Sequence, residues 1–176
     1  MTTHPSNLAI KPQLKLKLDA NQGFTLEQAI EFGSCLDADK IIYIEEPCQK
    51  PADNVTFYQA TSMPYALDET LNDTDYRYQY QAGLNALVLK PMIIGDIAKL
   101  QQLVEQANED GVSSVLSSSL ESSLGINDIC TLAAAITPMQ APGVDTLAAF
   151  SQDILISNGQ RPCLNLDQLT LICRYE

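Results

Sequence analysis

The sequence predicts an α/β fold, a partial (β/α) TIM-type barrel of about six strands. Short runs rich in Leu, Ile and Val alternate with longer segments of helical period, the signature of βα units on a parallel sheet. Polar residues at the ends of five of those runs, Asp19, Glu45, Asp68, Lys90 and Ser117, follow one another at steps of 26, 23, 22 and 27 residues. A step of that length holds one strand, one helix and two loops. Functional groups repeated at carboxyl strand ends favour a barrel over a doubly wound sheet. Neither G-x-G-x-x-G nor G-x-x-x-x-G-K-[ST] occurs, which weighs against a dinucleotide or P-loop fold.

Taken in order, strands are expected at 14–19, 41–46, 65–69, 86–90 and 114–118, with a short sixth near 141–145. Helices are expected at 26–36, 55–60, 74–81, 97–108 and 127–136. The fourth helix has the clearest pattern, with Ile97, Leu100, Leu103, Val104 and Ala107 on one face and Gly111 at the position of a C′ stop. After Asp145 a last helix through Leu147, Phe150 and Ile154 is expected, then an irregular tail. The expected organisation is an irregular leader at 1–13, the partial barrel at 14–156 and a tail at 157–176. A closed barrel of this kind has eight strands, so the expected shortfall lies at the amino end.

A chain of 176 residues with 45% hydrophobic residues suits one globular domain with a real core. No apolar run reaches membrane-spanning length and the start lacks a basic, then apolar, export signal, so a cytoplasmic protein is expected. A net charge of −12 repels phosphate backbones and anionic lipid, which argues against nucleic acid and membrane partners. The single histidine, His4, sits in the leader, so a histidine-based nucleophilic mechanism is not expected. Five cysteines without a C-x-x-C pair argue against a disulfide framework or thiolate zinc site, and are expected to be small buried residues.

Strand alternation places Lys15, Lys17 and Asp19 on one face and Leu14, Leu16 and Leu18 on the other, the leucines toward the helices. Lys17 is then expected to pair with a carboxylate below Asp19. Adjacent Glu45 and Glu46 face opposite ways, as do Asp68 and Glu69, so one acid of each pair points to the centre. Three inward carboxylates would raise one another's pKa, and a hard divalent ion relieves that repulsion by coordination. Mg²⁺ is the natural ion, with Mn²⁺ as its substitute.

The blocks L-D-A-N at 18–21, E-E-P-C at 45–48, L-D-E-T at 67–70 and L-K-P at 89–91 resemble, in order and spacing, the barrel of the enolase superfamily. S-S-S-L-E-S-S-L-G at 117–125 and P-G-V-D-T at 142–146 resemble the o-succinylbenzoate synthases of menaquinone biosynthesis in particular. The resemblance implies that Asp19, Glu45 and Asp68 are Mg²⁺ ligands. It implies that Lys90 lies against the substrate and stabilises an enediolate, and that Asn21 supports the ligands from behind. Ser117, Ser118, Ser119 and the backbone at Gly143 match the parts that receive a succinyl carboxylate. The implied reaction is a Mg²⁺-assisted syn dehydration of 2-succinyl-6-hydroxy-2,4-cyclohexadiene-1-carboxylate to o-succinylbenzoate, a carbon–oxygen lyase reaction on a small carboxylate.

The family's proton-abstracting base is the second lysine of a K-x-K motif on the strand before the first ligand. Lys15-Leu16-Lys17 does not match it, because these residues precede Asp19 on the ligand strand itself. The chain alone is therefore expected to be inactive, lacking that strand and the capping domain, and a complementary amino-terminal fragment is the expected partner. Three alternatives stand beside this reading. One is a non-catalytic fragment that still binds a divalent ion. Another is a superfamily epimerase or racemase that uses Lys90 as a second-face base. The third is a class I aldolase in which Lys90 forms a Schiff base. The serine block 117–123 has its own alternative, a flexible linker.

Overall fold

The computed structural model describes residues 14–154, 164–170 and 172; the expected leader, His4, Cys163, Cys173 and most of the expected tail lie outside the described residues. Five strands, β1 (Leu16–Asp19), β2 (Ile41–Glu45), β3 (Tyr65–Leu67), β4 (Leu84–Leu89) and β5 (Ser113–Leu116), form one sheet in chain order, and the β1–β2, β2–β3 and β4–β5 ladders are parallel. The chain forms two compact units, one of residues up to 66 with 81–85, the other of 67–80 with 86 to the carboxyl end.

The first unit holds β1 (Leu16–Asp19), α1 (Leu26–Ser34), β2 (Ile41–Glu45), α2 (Asn54–Thr61) and the start of β3 (Tyr65–Leu67). A capping box opens α1: Thr25 Oγ1 accepts the Gln28 N–H at 3.4 Å and Gln28 Oε1 accepts the Thr25 N–H at 3.0 Å. Its inward residue Ala29 joins Ile44, Cys48, Phe57 and Met63 in a fully buried cluster, with Leu18, Phe24 and Ile30 packed against it. A register irregularity between Leu16 and Lys17 breaks the expected alternation of β1. Of the three leucines expected to face the helices only Leu18 packs on the cluster; Leu14, which precedes β1, and Leu16 are exposed.

The second unit carries most of β4 (Leu84–Leu89), then α3 (Pro91–Ile94), α4 (Ile97–Glu109), β5 (Ser113–Leu116) and α5 (Ser123–Ile136). The Asp96 carboxylate caps α4 by accepting the Ala98 and Lys99 N–H groups at 2.8 and 3.3 Å. Leu100, Leu103, Val104 and Ala107 form its buried face. Gly111, at φ +71°, closes the helix: its N–H reaches Asn108 O and the Val112 N–H reaches Ala107 O, the paired bonds of a Schellman motif.

Several expectations are corrected here. The helix expected at 74–81 does not form; a 3₁₀ turn over Glu69–Asn72 leads into irregular chain. There the Asp73 side chain accepts the Asp75 N–H at 2.9 Å and its carbonyl accepts the Tyr76 N–H at 3.0 Å, a turn that competes with helix. The sixth strand is reduced to a single parallel bridge between Ser117 and Gly143. Among the described residues, the helix expected after Asp145 is one 3₁₀ turn over Leu147–Ala149. The serine block is built structure rather than a linker. Ser123 is fully buried and opens α5, and its N–H and Oγ both donate to Asp153 Oδ1 at 2.9 and 2.6 Å. Of the described cysteines only Cys48 is buried; Cys35 is exposed and Cys130 is intermediate. No helix among the described residues is long and apolar enough to cross a membrane.

Candidate metal centre

In the first unit Asp19 and Glu45 end adjacent strands as registered partners. Two residues earlier, Lys17 is registered with Tyr43, and its Nζ lies 5.2 Å from the Tyr43 ring centroid. That aromatic contact, a cation–π interaction, takes the place of the carboxylate partner expected for Lys17. Burial and the charge of Glu45 push the Tyr43 phenol above its ordinary range. The turn after β1 holds Asp19 from its own backbone: Oδ1 accepts the Asn21 N–H at 2.9 Å. Asn21 and Gln22 both take positive φ, 48° and 53°, a conformation asparagine tolerates better than most residues.

Gln22 determines what becomes of the second glutamate. Its N–H donates to the Glu46 carbonyl at 2.9 Å and its Nε2 to Glu46 Oε2 at 3.3 Å. Glu46 is fully buried at φ +39°, turned off the line of the strand, while half-buried Glu45 remains in the ladder beside Asp19. Sequence reasoning missed Gln22. Its signal was a glutamine placed in a tight turn where a glycine would be less strained.

In the second unit Asp68 directly follows β3 and is 5% exposed. Its backbone (φ −134°, ψ −78°) leaves the strand conformation, which ends β3 earlier than expected. Lys90 directly follows β4, and its Nζ donates to Asp68 Oδ2 at 2.7 Å in a largely buried ion pair. Among the described residues no group of three or more His, Cys, Asp or Glu side chains is gathered as a metal site.

The serines expected to bind substrate cluster beyond β5. Ser117 Oγ and Ser118 Oγ both donate to the Gly143 carbonyl, at 3.0 and 3.2 Å, and the Ser118 N–H joins them at 2.9 Å. The Gly143 N–H donates back to Leu116 O at 2.8 Å. A Cβ on Gly143 would lie 2.9 Å from Ser117 Oγ, so a side chain here would displace that hydroxyl from the Gly143 carbonyl. Ser119 is held separately: its N–H and Oγ donate to the Glu121 carboxylate at 2.6 and 2.7 Å. Glu121 and Thr146, whose hydroxyl is 2.9 Å from Ser118 Oγ, were not singled out from sequence.

A parallel sheet in chain order, with acids ending three consecutive strands and a lysine ending the next, defines a partial (β/α) barrel of the enzyme-bearing type. The chain belongs to the enolase C-terminal domain-like family, whose profile matches residues 7–159. It is 36% identical over 166 residues to the o-succinylbenzoate synthase of Proteus mirabilis (strain HI4320), covering 92% of this chain and 51% of that enzyme. The chain thus spans about half the length of the curated relatives it matches. MenC from Desulfotalea psychrophila LSv54 superposes with a TM-score of 0.69 at 25% identity, over 83% of this chain and 42% of that one. An enolase from Pseudomonas fluorescens Pf0-1, solved with magnesium, potassium and tartrate, shares the fold at a TM-score of 0.65 and 20% identity, over 76% of this chain and 31% of that one.

Proposed function

We propose that this chain is the metal-ligand portion of an o-succinylbenzoate synthase-type lyase, in which Asp19, Glu45 and Asp68 hold Mg²⁺. The observation that carries the reading is the order acid, acid, acid, lysine at the carboxyl ends of β1, β2, β3 and β4. All three acids are hard oxygen donors, the ligand type Mg²⁺ prefers and Mn²⁺ accepts. Glu45 rather than Glu46 is the second ligand, because Glu46 is committed to Gln22.

When bound, the ion supplies positive charge against the second negative charge that a substrate carboxylate gains as its α-proton leaves. Lys90 holds its ammonium, oriented by Asp68, against the same developing charge. Ser117 and Ser118 share one acceptor, the Gly143 carbonyl. One hydroxyl can therefore turn to a succinyl carboxylate while the other keeps the loop in place. The substrate loses its α-proton and the neighbouring hydroxyl, which depart together as water, and the ring becomes aromatic. Lys17 is not the abstracting base: it stands two residues before Asp19 on the ligand strand itself and lies over the Tyr43 ring. Absence of a general base costs roughly 10²–10⁴-fold, so the isolated chain is silent.

Calorimetry with Mg²⁺ and Mn²⁺ tests the ligand set. Asp19→Ala, Glu45→Gln and Asp68→Asn are each expected to weaken binding, and Glu46→Gln to leave it unchanged. Loss on Glu46→Gln together with retention on Glu45→Gln would reverse the assignment. Adding the amino-terminal half of a relative's synthase is expected to restore Mg²⁺-dependent dehydration, and no gain in the presence of a bound metal would refute the lyase reading.

A further inference from the structure

We propose that the irregular segment 74–78 and α4 together form a second binding site, for a small planar organic carboxylate. Tyr76, Arg77 and Tyr78 from the segment, with Lys99 and Gln102 from α4, line a cavity of about 350 Å³. That lies within the range of small-molecule pockets, about 300–1,000 Å³. None of the strand-end acids, nor Lys90, lines it.

The charge distribution points to the ligand class. The chain carries 22 acids against 10 Lys and Arg, yet two cations and no carboxylate line this cavity. Neither cation is neutralised. Lys99 Nζ donates to the Thr74 carbonyl and Arg77 Nη1 to the Tyr76 carbonyl, each at 2.9 Å, and neither pairs with a carboxylate among the described residues. A carbonyl accepts a hydrogen bond but leaves the cation's charge in place. An anionic oxygen compensates both, and each cation still has N–H groups to give.

The rest of the lining favours a flat organic body over a bare anion. Two tyrosine rings and buried Leu103 offer apolar surface, while the Gln102 amide adds a polar contact. Burial and the neighbouring Asp110 push the Tyr78 phenol above its ordinary range, so the ligand meets this ring by its apolar face, while Arg77 and Lys99 receive the charge. The sequence reads Tyr76-Arg77-Tyr78-Gln79-Tyr80 where regular helix was expected. A stretch that gives up regular structure and sets three tyrosines around one arginine is the kind of loop that carries binding.

Benzoate is the probe, titrated into the full chain by calorimetry and followed by tyrosine fluorescence, with inorganic phosphate compared at matched ionic strength. Benzoate is expected to bind saturably and more tightly than phosphate. Lys99→Gln and Arg77→Gln, with unchanged circular dichroism, are each expected to weaken it about tenfold or more, the size of one charge-assisted hydrogen bond. Lys40→Gln, an exposed cation outside the cavity, is expected to leave it unaltered. Absence of saturation, indifference to both cation substitutions, equal affinity for phosphate, or equal weakening in Lys40→Gln would each overturn the proposal.

Discussion

Deleting the ammonium of Lys90 is expected to destabilise the chain more than deleting both charges of its ion pair. The Nζ to Oδ2 distance is 2.7 Å and the side chains are 18% and 7% exposed. At an effective dielectric near 20, that separation gives an attraction of about 6 kcal/mol before the cost of removing both groups from water. Lys90→Met leaves the Asp68 carboxylate buried without its cation. The expected loss is about 3 kcal/mol, the lower end for a broken buried pair, because Asp68 has further contacts that persist. Asp68→Asn combined with Lys90→Met removes the stranded charge, and the double variant is expected to recover roughly half of that loss. Urea unfolding at pH 7, with an unchanged slope across the four proteins, reads the cycle. A Lys90→Met loss below about 0.5 kcal/mol, or a double variant as unstable as the sum of the singles, would refute a coupled buried pair.

Two further outcomes follow from single contacts. Gly143→Ala puts a Cβ 2.9 Å from Ser117 Oγ and displaces that hydroxyl, so about 1 kcal/mol of stability, the worth of one hydrogen bond, should be lost, with Mg²⁺ affinity unchanged by calorimetry. Loss of metal binding in that variant would contradict the separation of serine cluster and ligands. Burial, then Asp53 and Glu46, push the Cys48 thiol up to about 11, from an ordinary value of 9.0. Its contribution to stability is fully present below pH 9 and lost as pH rises through 11. The urea midpoint should fall over that window more in the parent than in Cys48→Ala. At pH 8, iodoacetamide should label exposed Cys35 well before Cys48, and equal labelling by peptide mapping would contradict the burial.

Most of the scaffold was legible because its signals are local. β2 is a continuous apolar run, and α4 carries its stripe and a Gly111 stop within fifteen residues of chain. What was illegible depends on remote or competing partners. Residues 74–81 have helical length, but Asp73 bonds its own backbone two residues on and Lys99 of α4 holds the Thr74 carbonyl. The start of α5 falls four residues before the expected position because Asp153 supplies the cap that Ser122 does not. Strand periodicity gave Asp19 its position but not the irregularity at Leu16 and Lys17, which leaves two leucines exposed. It also left Glu45 and Glu46 equivalent; the distinction rests on Gln22, twenty-four residues away.

The Asp153 cap has a consequence for the order of events during synthesis. The first turn of α5 receives its acceptor from a residue thirty positions later. While the chain emerges, Ser123 and its neighbours carry exposed N–H groups with water as their acceptor, and the helix frays at that end. The later arrival of Asp153 couples the chain around it, including Ile154 and Leu164, which donate to its side chain and carbonyl, to a helix completed long before. Amide exchange at the start of α5 therefore reports whether the far end of the chain has docked, and a ribosome-stalled chain ending before Asp153 should exchange there as fast as an unprotected peptide.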